Sequence, residues 1–368
     1  MKLENLPFHI GGTEEAVNPA GLPNTWPFIL QLNKLWCTIT QQVTPELLGI
    51  LDQAYRAGQL IGTPLAEDPY GKPYADDFLH FIDKLGLPHG ANAIEIGAGV
   101  GYLTRRLKEA GLRIVGIEPG CGYAAYWEKN GVEIVNDFFP TSRVTGRFDL
   151  ICSYAVLEHI TEPAEFLKDV RNHLASDGVA VFSVPDCTAE IASGDPSILL
   201  HEHISYFDAG SLTRLIQSVG MNVVVKKSGY GRCLYAIASL KQHIGVGGGE
   251  RGLAPEVIES YPDRCMKYIE RVRRELVGMT AHGTLGVYCA ARGLALLDPE
   301  WPVRFFDDDP SQQEKFLPPF KAVIEGRDDL FATPVDNLVI LSRTFGHRIR
   351  DSLREQGYGG SIITLDEI

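Results

Sequence analysis

The sequence predicts an α/β protein, with a doubly wound parallel sheet in its middle and a second, smaller α/β unit behind it. Three observations carry this prediction. Short apolar runs recur without polar alternation, amphipathic stretches separate them, and the pattern restarts after the glycine-rich break GVGGGE at 245–250. Parallel strands buried on both faces read as continuous apolar runs, and the crossovers between them are usually helices.

Residues 1–76 open irregularly, with NPAGLPNTWP, and then carry one helical stretch, PELLGILDQAYRAG, with apolar Leu47, Leu48, Leu51 and Tyr55. This lead-in looks too short of apolar residues to bury a core of its own. From 77 the texture changes. DDFLHFIDKLGL places Phe78, Phe81, Ile82 and Leu85 on one helical face and closes on Gly86. NAIEIG, RIVGIEP, FDLICSY and VAVFSVP then read as strands, with TRRLKEAG and AEFLKDVRNHLASDG as crossovers, so the first α/β domain spans 77–244. Residues 245–368 begin with a helix near 255–277. They continue with GTLGVYCAARGLALL, VRFFDDDP, DNLVILS, RIRDSLREQG and SIITLDEI, the second α/β unit. Asp307, Asp308 and Asp309 are expected in a solvated turn before Pro310.

Of the 368 residues, 45% are hydrophobic and 22% charged, which excludes wholesale disorder. Asp and Glu number 47 against 34 Lys and Arg, a net charge of −13 that disfavours binding to nucleic acid. No apolar run approaches the roughly 20 residues of a membrane helix, and MKLENLPFHI lacks a signal-peptide core, so a cytoplasmic protein with no membrane partner is expected. The seven cysteines include no C-x-x-C pair and read as reduced thiols.

The strongest local signal is AIEIGAGVGYLTRRL (93–107), a strand running into Gly97, Gly99 and Gly101 and then a helix. Such a turn lets a ligand approach the backbone, and the helix start favours an anionic group. A dinucleotide G-x-G-x-x-G fingerprint requires a small residue at 102, where Tyr102 stands. Taken with Glu118 closing RIVGIEP, Asp137 in NDFF and the FDLICSYAVLEHI loop, the turn resembles motif I of class I S-adenosylmethionine (SAM) methyltransferases. That resemblance implies a Rossmann-like fold and SAM as cofactor. It puts the methionyl end on the three glycines, the ribose on Glu118 and the adenine on Asp137. Glu95, Tyr102, Pro119, Phe138 and Tyr154 are expected around the donor, and Tyr74 in a segment that closes over it. Glu158 and His159 read as loop structure.

SILLHEHISYFDAGSLTRL (197–215) gathers His201, Glu202 and His203 just after an apolar strand. A histidine titrating near neutrality can remove a proton from a hydroxyl or from a carbon beside a carbonyl, and a carboxylate can orient it. A purely structural pair of histidines is the alternative. His-x-His can also serve a metal, but neither a cysteine nor a third histidine stands near it in sequence, so no metal is expected.

HEHISYF inside such a domain, with a second α/β unit behind it, resembles the nucleotide-sugar C-methyltransferases of deoxysugar pathways. The resemblance implies that His203 is the base that deprotonates carbon beside a 4-keto group, with Glu202 and His201 accompanying it. It further implies a nucleotide sugar as acceptor and an acceptor-side role for 245–368. The chain departs from that family in three places. Cys37 stands alone where zinc-ligand cysteines are paired, Leu200 replaces a tyrosine, and CAARG at 289–293 replaces a glycine turn. These departures keep two further readings open: an O- or N-methyltransferase of another small metabolite, and an inactive SAM-binding partner subunit. A monomer or homodimer is expected.

Overall fold

The computed structural model describes residues 1–8, 11–18, 21–56, 71–241, 249–343 and 345–368, so positions 245–248 of the glycine-rich break lie outside it. The chain forms two compact units. One comprises Leu30–Ala189 and Glu202–Glu259; the other comprises Met1–Ile29, Glu190–His201 and Ser260–Ile368.

The first unit is built on a seven-stranded sheet. In spatial order its strands are Asn222–Lys227, Cys233–Ser239, Leu174–Pro185, Phe148–Tyr154, Asn92–Ile96, Arg113–Ile117 and Ile134–Val135. The five strands from Leu174–Pro185 onward pair in parallel, and the other two form an antiparallel edge. Numbered along the chain, the order is 6-7-5-4-1-2-3, a doubly wound sheet whose direction of winding reverses between Asn92–Ile96 and Phe148–Tyr154. Ligands of open α/β sheets lie beyond the carboxyl ends of the strands at such a switch point.

Strand residues alternate between two buried layers, as a period of two requires. Ala93, Leu150 and Val181 pack with Phe78, Ile82, Leu103 and Leu107 on one face. Ile94, Ile96, Ile151 and Phe182 pack with Phe166, Leu167, Leu212 and Leu215 on the other. These are the apolar stripes of the predicted crossover helices. In the same unit, Thr38–Gln41 pairs antiparallel with Ser205–Tyr206, and Arg214 donates to the carbonyls of Trp36 and Cys37. This fixes the backbone that follows His203.

The second unit holds a five-stranded, all-parallel sheet in the order Ile324–Glu325, Val303–Phe306, Leu285–Tyr288, Asn337–Ile340 and Ser361–Thr364. The start of the chain belongs to this unit, where Thr13 forms a bridge with Phe316. Gly293 of CAARG is required by packing, because a Cβ there would lie 2.6 Å from Leu341 Cδ1. Asp308 is anchored rather than merely solvated: Arg327 holds it with two donors and the Tyr288 hydroxyl donates to it at 2.6 Å. The local sequence contained no sign of this, since Arg327 arrives from a later helix. Among the described residues, no helix is long and apolar enough to cross a membrane.

Candidate functional site

Both loops at the switch point lie in the first unit. After Asn92–Ile96, Gly97, Gly99 and Gly101 adopt φ of +76°, +52° and +81°, a region that side chains disfavour. The three glycines meet different surroundings. A Cβ on Gly97 would sit 2.3 Å from Val156 Cγ2, and one on Gly101 would sit 2.8 Å from Val132 Cγ1. A Cβ on Gly99 would meet nothing within 4 Å. Gly99 is therefore where the turn presents backbone to open space. Trp127 Nε1 donates to the Gly99 carbonyl at 2.9 Å and steadies it.

Glu118, at the end of the neighbouring strand, accepts from the Gly99 amide at 2.8 Å through one oxygen and from the Gly120 amide at 2.8 Å through the other. Burial raises its pKa, while the two amides pull it back. Each oxygen retains a lone pair for a further donor, such as a ribose hydroxyl. Asn136 Nδ2 donates to the carbonyls of Glu118 and Pro119, which holds this corner. Asp137 accepts from the Phe138 amide and the Thr141 hydroxyl, and those bonds lower its pKa. Open backbone at Gly99 and a tethered carboxylate at Glu118 fit an adenosyl ligand.

Two expected donor contacts are instead supports. Glu95 is 1% exposed beneath the turn and accepts from the Thr104 hydroxyl at 2.5 Å. Tyr102 is buried as well; its hydroxyl donates to Asp76 at 2.5 Å and accepts from Arg106 at 2.9 Å. Strand pleat and helix phase turn both side chains inward, which a motif match does not reveal. Tyr154 packs against Phe78, and Tyr74 lies edge-on to Tyr230 with centroids 4.5 Å apart.

Burial pushes the Glu95 carboxyl up to about 8, with the Thr104 bonds opposing and Glu118 adding to the rise. The folded state therefore keeps a proton on Glu95 that the unfolded chain loses near pH 4.5. Stability is full below that pH and erodes up to about pH 8, by at most roughly 1.4 kcal/mol per pH unit. Glu95→Gln removes this dependence. Melting temperatures of ligand-free protein from pH 5 to 8 should fall for the native chain and fall less steeply for the variant, in which Glu158 still contributes.

The second loop follows Phe148–Tyr154. Ala155, a non-glycine residue, sits at φ +54°, a strained conformation of the kind that clusters at functional sites. Val156 packs on Gly97, and a single 3₁₀ turn, Leu157–His159, follows. The Ile204 amide donates to the Glu158 carbonyl at 2.7 Å, and His159 Nδ1 donates to the Glu202 carbonyl at 2.8 Å. The HEH segment is thereby joined to the donor-side loop. The His159 and His203 rings stand edge to face at 4.9 Å between centroids. The Tyr55 hydroxyl lies 3.2 Å from His159 Nδ1. Glu158 is 1% exposed and burial pushes its pKa up to about 7, with His159 lowering it and Glu202 raising it.

Sequence reasoning missed His159, Glu158 and Tyr55 as members of one site. Their positions relative to 201–203 depend on pairing across long stretches of chain, and only the Glu-His doublet in the loop hinted at it. His201, grouped with the catalytic residues from the sequence, has a packing geometry in the second unit. It is fully buried, stacked on Phe8 at 4.9 Å, with Nε2 on the Leu6 carbonyl at 3.2 Å. Burial lowers its pKa to about 4, so it stays neutral.

Residues 70–226 match the family model described as "Methyltransferase domain". This segment is a class I SAM-dependent methyltransferase domain, and its cofactor is SAM. C-methyltransferase NovU of Streptomyces niveus is 31% identical over 150 residues, covering 39% of this chain and 36% of that protein. A ubiquinone biosynthesis O-methyltransferase of Actinobacillus pleuropneumoniae is 29% identical over 126 residues, covering 28% of this chain and 54% of that protein. The chain thus spans less than two thirds of the length of either relative. The solved DhpI-SAM-HEP complex is 20% identical with a TM-score of 0.43, covering 54% of this chain and 99% of that one.

Proposed function

We propose that the protein is a SAM-dependent C-methyltransferase acting on a nucleotide-linked keto sugar, with His203 as general base. The observation that carries this reading is the imidazole pair of half-buried His159 and buried His203, set where the HEH segment is bonded to the loop that packs on the glycine turn. The partial similarity to a C-methyltransferase supports the same choice.

When bound, SAM supplies an electrophilic methyl group on its sulfonium. The residues of the chain align and deprotonate the acceptor. Gly97, Gly99 and Gly101 cradle the methionyl end, Glu118 accepts from the ribose hydroxyls and Asp137 from the adenine amino group. His203, oriented with the help of Glu202, removes the proton from the carbon beside the keto group and leaves that carbon nucleophilic. Leu200 offers no hydroxyl to steady the developing enolate, and Tyr55, beside His159, takes that part.

O-methylation of a small metabolite is the second reading, favoured by Leu200 and by the ubiquinone O-methyltransferase relatives. Deuterium exchange separates the two. Incubated in deuterated water without SAM, the protein should exchange the proton beside the keto group of a nucleotide keto sugar, followed by proton NMR. The product formed with SAM should carry a carbon-bound methyl. An O-methyl product with no exchange overturns the base assignment.

A further inference from the structure

We infer that Glu158, His159 and His203 form a binding site for a divalent transition-metal ion of the zinc class. This goes beyond the methyl-transfer reading and does not rest on it. One carboxylate oxygen of Glu158 and one ring nitrogen from each histidine lie within 4.8 Å of one another, all in the first unit. A tetrahedral ion with bonds of about 2.0–2.2 Å holds its donors roughly 3.4 Å apart, so small side-chain rotations close the site.

Two independent observations point to a cation. Glu158 is 1% exposed, yet neither of its carboxylate oxygens has a hydrogen-bond partner among the described residues; His159 Nε2 approaches to 3.9 Å. A buried carboxylate without such partners is costly, and a cation is its complement. The nearby Glu202 carboxylate adds to the negative field there. The second observation is the orientation of His159. A carbonyl can only accept, so the 2.8 Å contact with the Glu202 carbonyl puts the proton on Nδ1 and leaves the Nε2 lone pair facing Glu158. A ligating histidine typically has this arrangement, its far N–H fixed by a carbonyl.

Two nitrogens and one carboxylate oxygen suit zinc, cobalt or iron(II) better than magnesium or calcium, which prefer oxygen ligands. Three protein ligands also leave a coordination position open. Occupancy would commit one ring nitrogen of His203 to the ion, so His203 serves as the base of the proposed reaction only in the ion-free chain.

The test uses the full, untagged chain freed of metal by a chelator and titrated with Co²⁺ as an optical probe. One equivalent should give visible d–d bands of a four- or five-coordinate site, and Zn²⁺ should displace them. Glu158→Gln and His159→Gln should each weaken binding by more than the roughly 10- to 100-fold that losing a second-shell partner costs. His282→Gln, at an exposed histidine, should bind like the native chain. Absence of bands from the native chain overturns the inference without reference to any variant. Bands of undiminished affinity in both ligand variants overturn it as well. The readout is independent of methyl transfer, so failure here leaves the C-methylation reading to its own test.

Discussion

His203→Gln should lower kcat for methyl transfer by about 10²–10⁴-fold, the usual contribution of a positioned general base, while leaving SAM affinity within a few-fold of the native value. The separation follows from the architecture. In the proposed arrangement the donor is gripped at the glycine turn, Glu118 and Asp137, whereas His203 lies on the HEH backbone that Thr38–Gln41 and the Leu157–His159 turn pin in place. Glutamine retains a polar side chain of similar length but cannot act as the base. A fall in kcat with SAM binding preserved by calorimetry is the expected pattern. Unchanged turnover would remove His203 from the chemistry, and a parallel loss of SAM binding would mean that the substitution acts through the fold.

Gly97→Ala should abolish measurable SAM binding and lower the melting temperature. Two costs combine at this position. Left-handed backbone at φ +76° costs a side-chain-bearing residue about 1–2 kcal/mol, and a Cβ 2.3 Å from Val156 Cγ2 forces a shift costing roughly 1–3 kcal/mol more. Val156 begins the segment that leads to Glu158 and His159, so displacing it disturbs both loops of the switch point at once. The double variant Gly97→Ala, Val156→Ala relieves the clash and leaves the backbone strain. It should recover part of the lost stability, and full recovery would show that φ at Gly97 matters less than its packing. Gly99→Ala makes a useful contrast, since at φ +52° it bears the backbone strain but its Cβ would meet no atom within 4 Å, so it should cost less stability than Gly97→Ala.

The glycine turn and strand-end acids of the candidate donor site were legible in the sequence because they are written locally. Three glycines between an apolar strand and a helix, and an acid after each of the next two strands, define it in whatever order the sheet is assembled. The side of the strand on which an acid falls was not legible. Glu95 stands two residues before Gly97, but the pleat buries it against Thr104, so it supports the turn from beneath. The acceptor-side cluster was legible only in part. HEH marked a dense group of titratable residues, yet its first histidine is held by Phe8 and Leu6, and its last meets His159. Two positions along one turn separate those fates. The first 29 residues, irregular in sequence, join the C-terminal α/β unit through contacts such as Thr13 with Phe316, pairings that no local periodicity encodes.

Isothermal titration of the purified chain with S-adenosylhomocysteine, native and Glu118→Ala side by side, tests the central claim most directly. A single-site heat for the native chain, weakened at least tenfold in the variant while Glu95→Gln retains it, is the predicted result. No detectable heat from the native chain, or equal affinity with and without the Glu118 carboxylate, would contradict it.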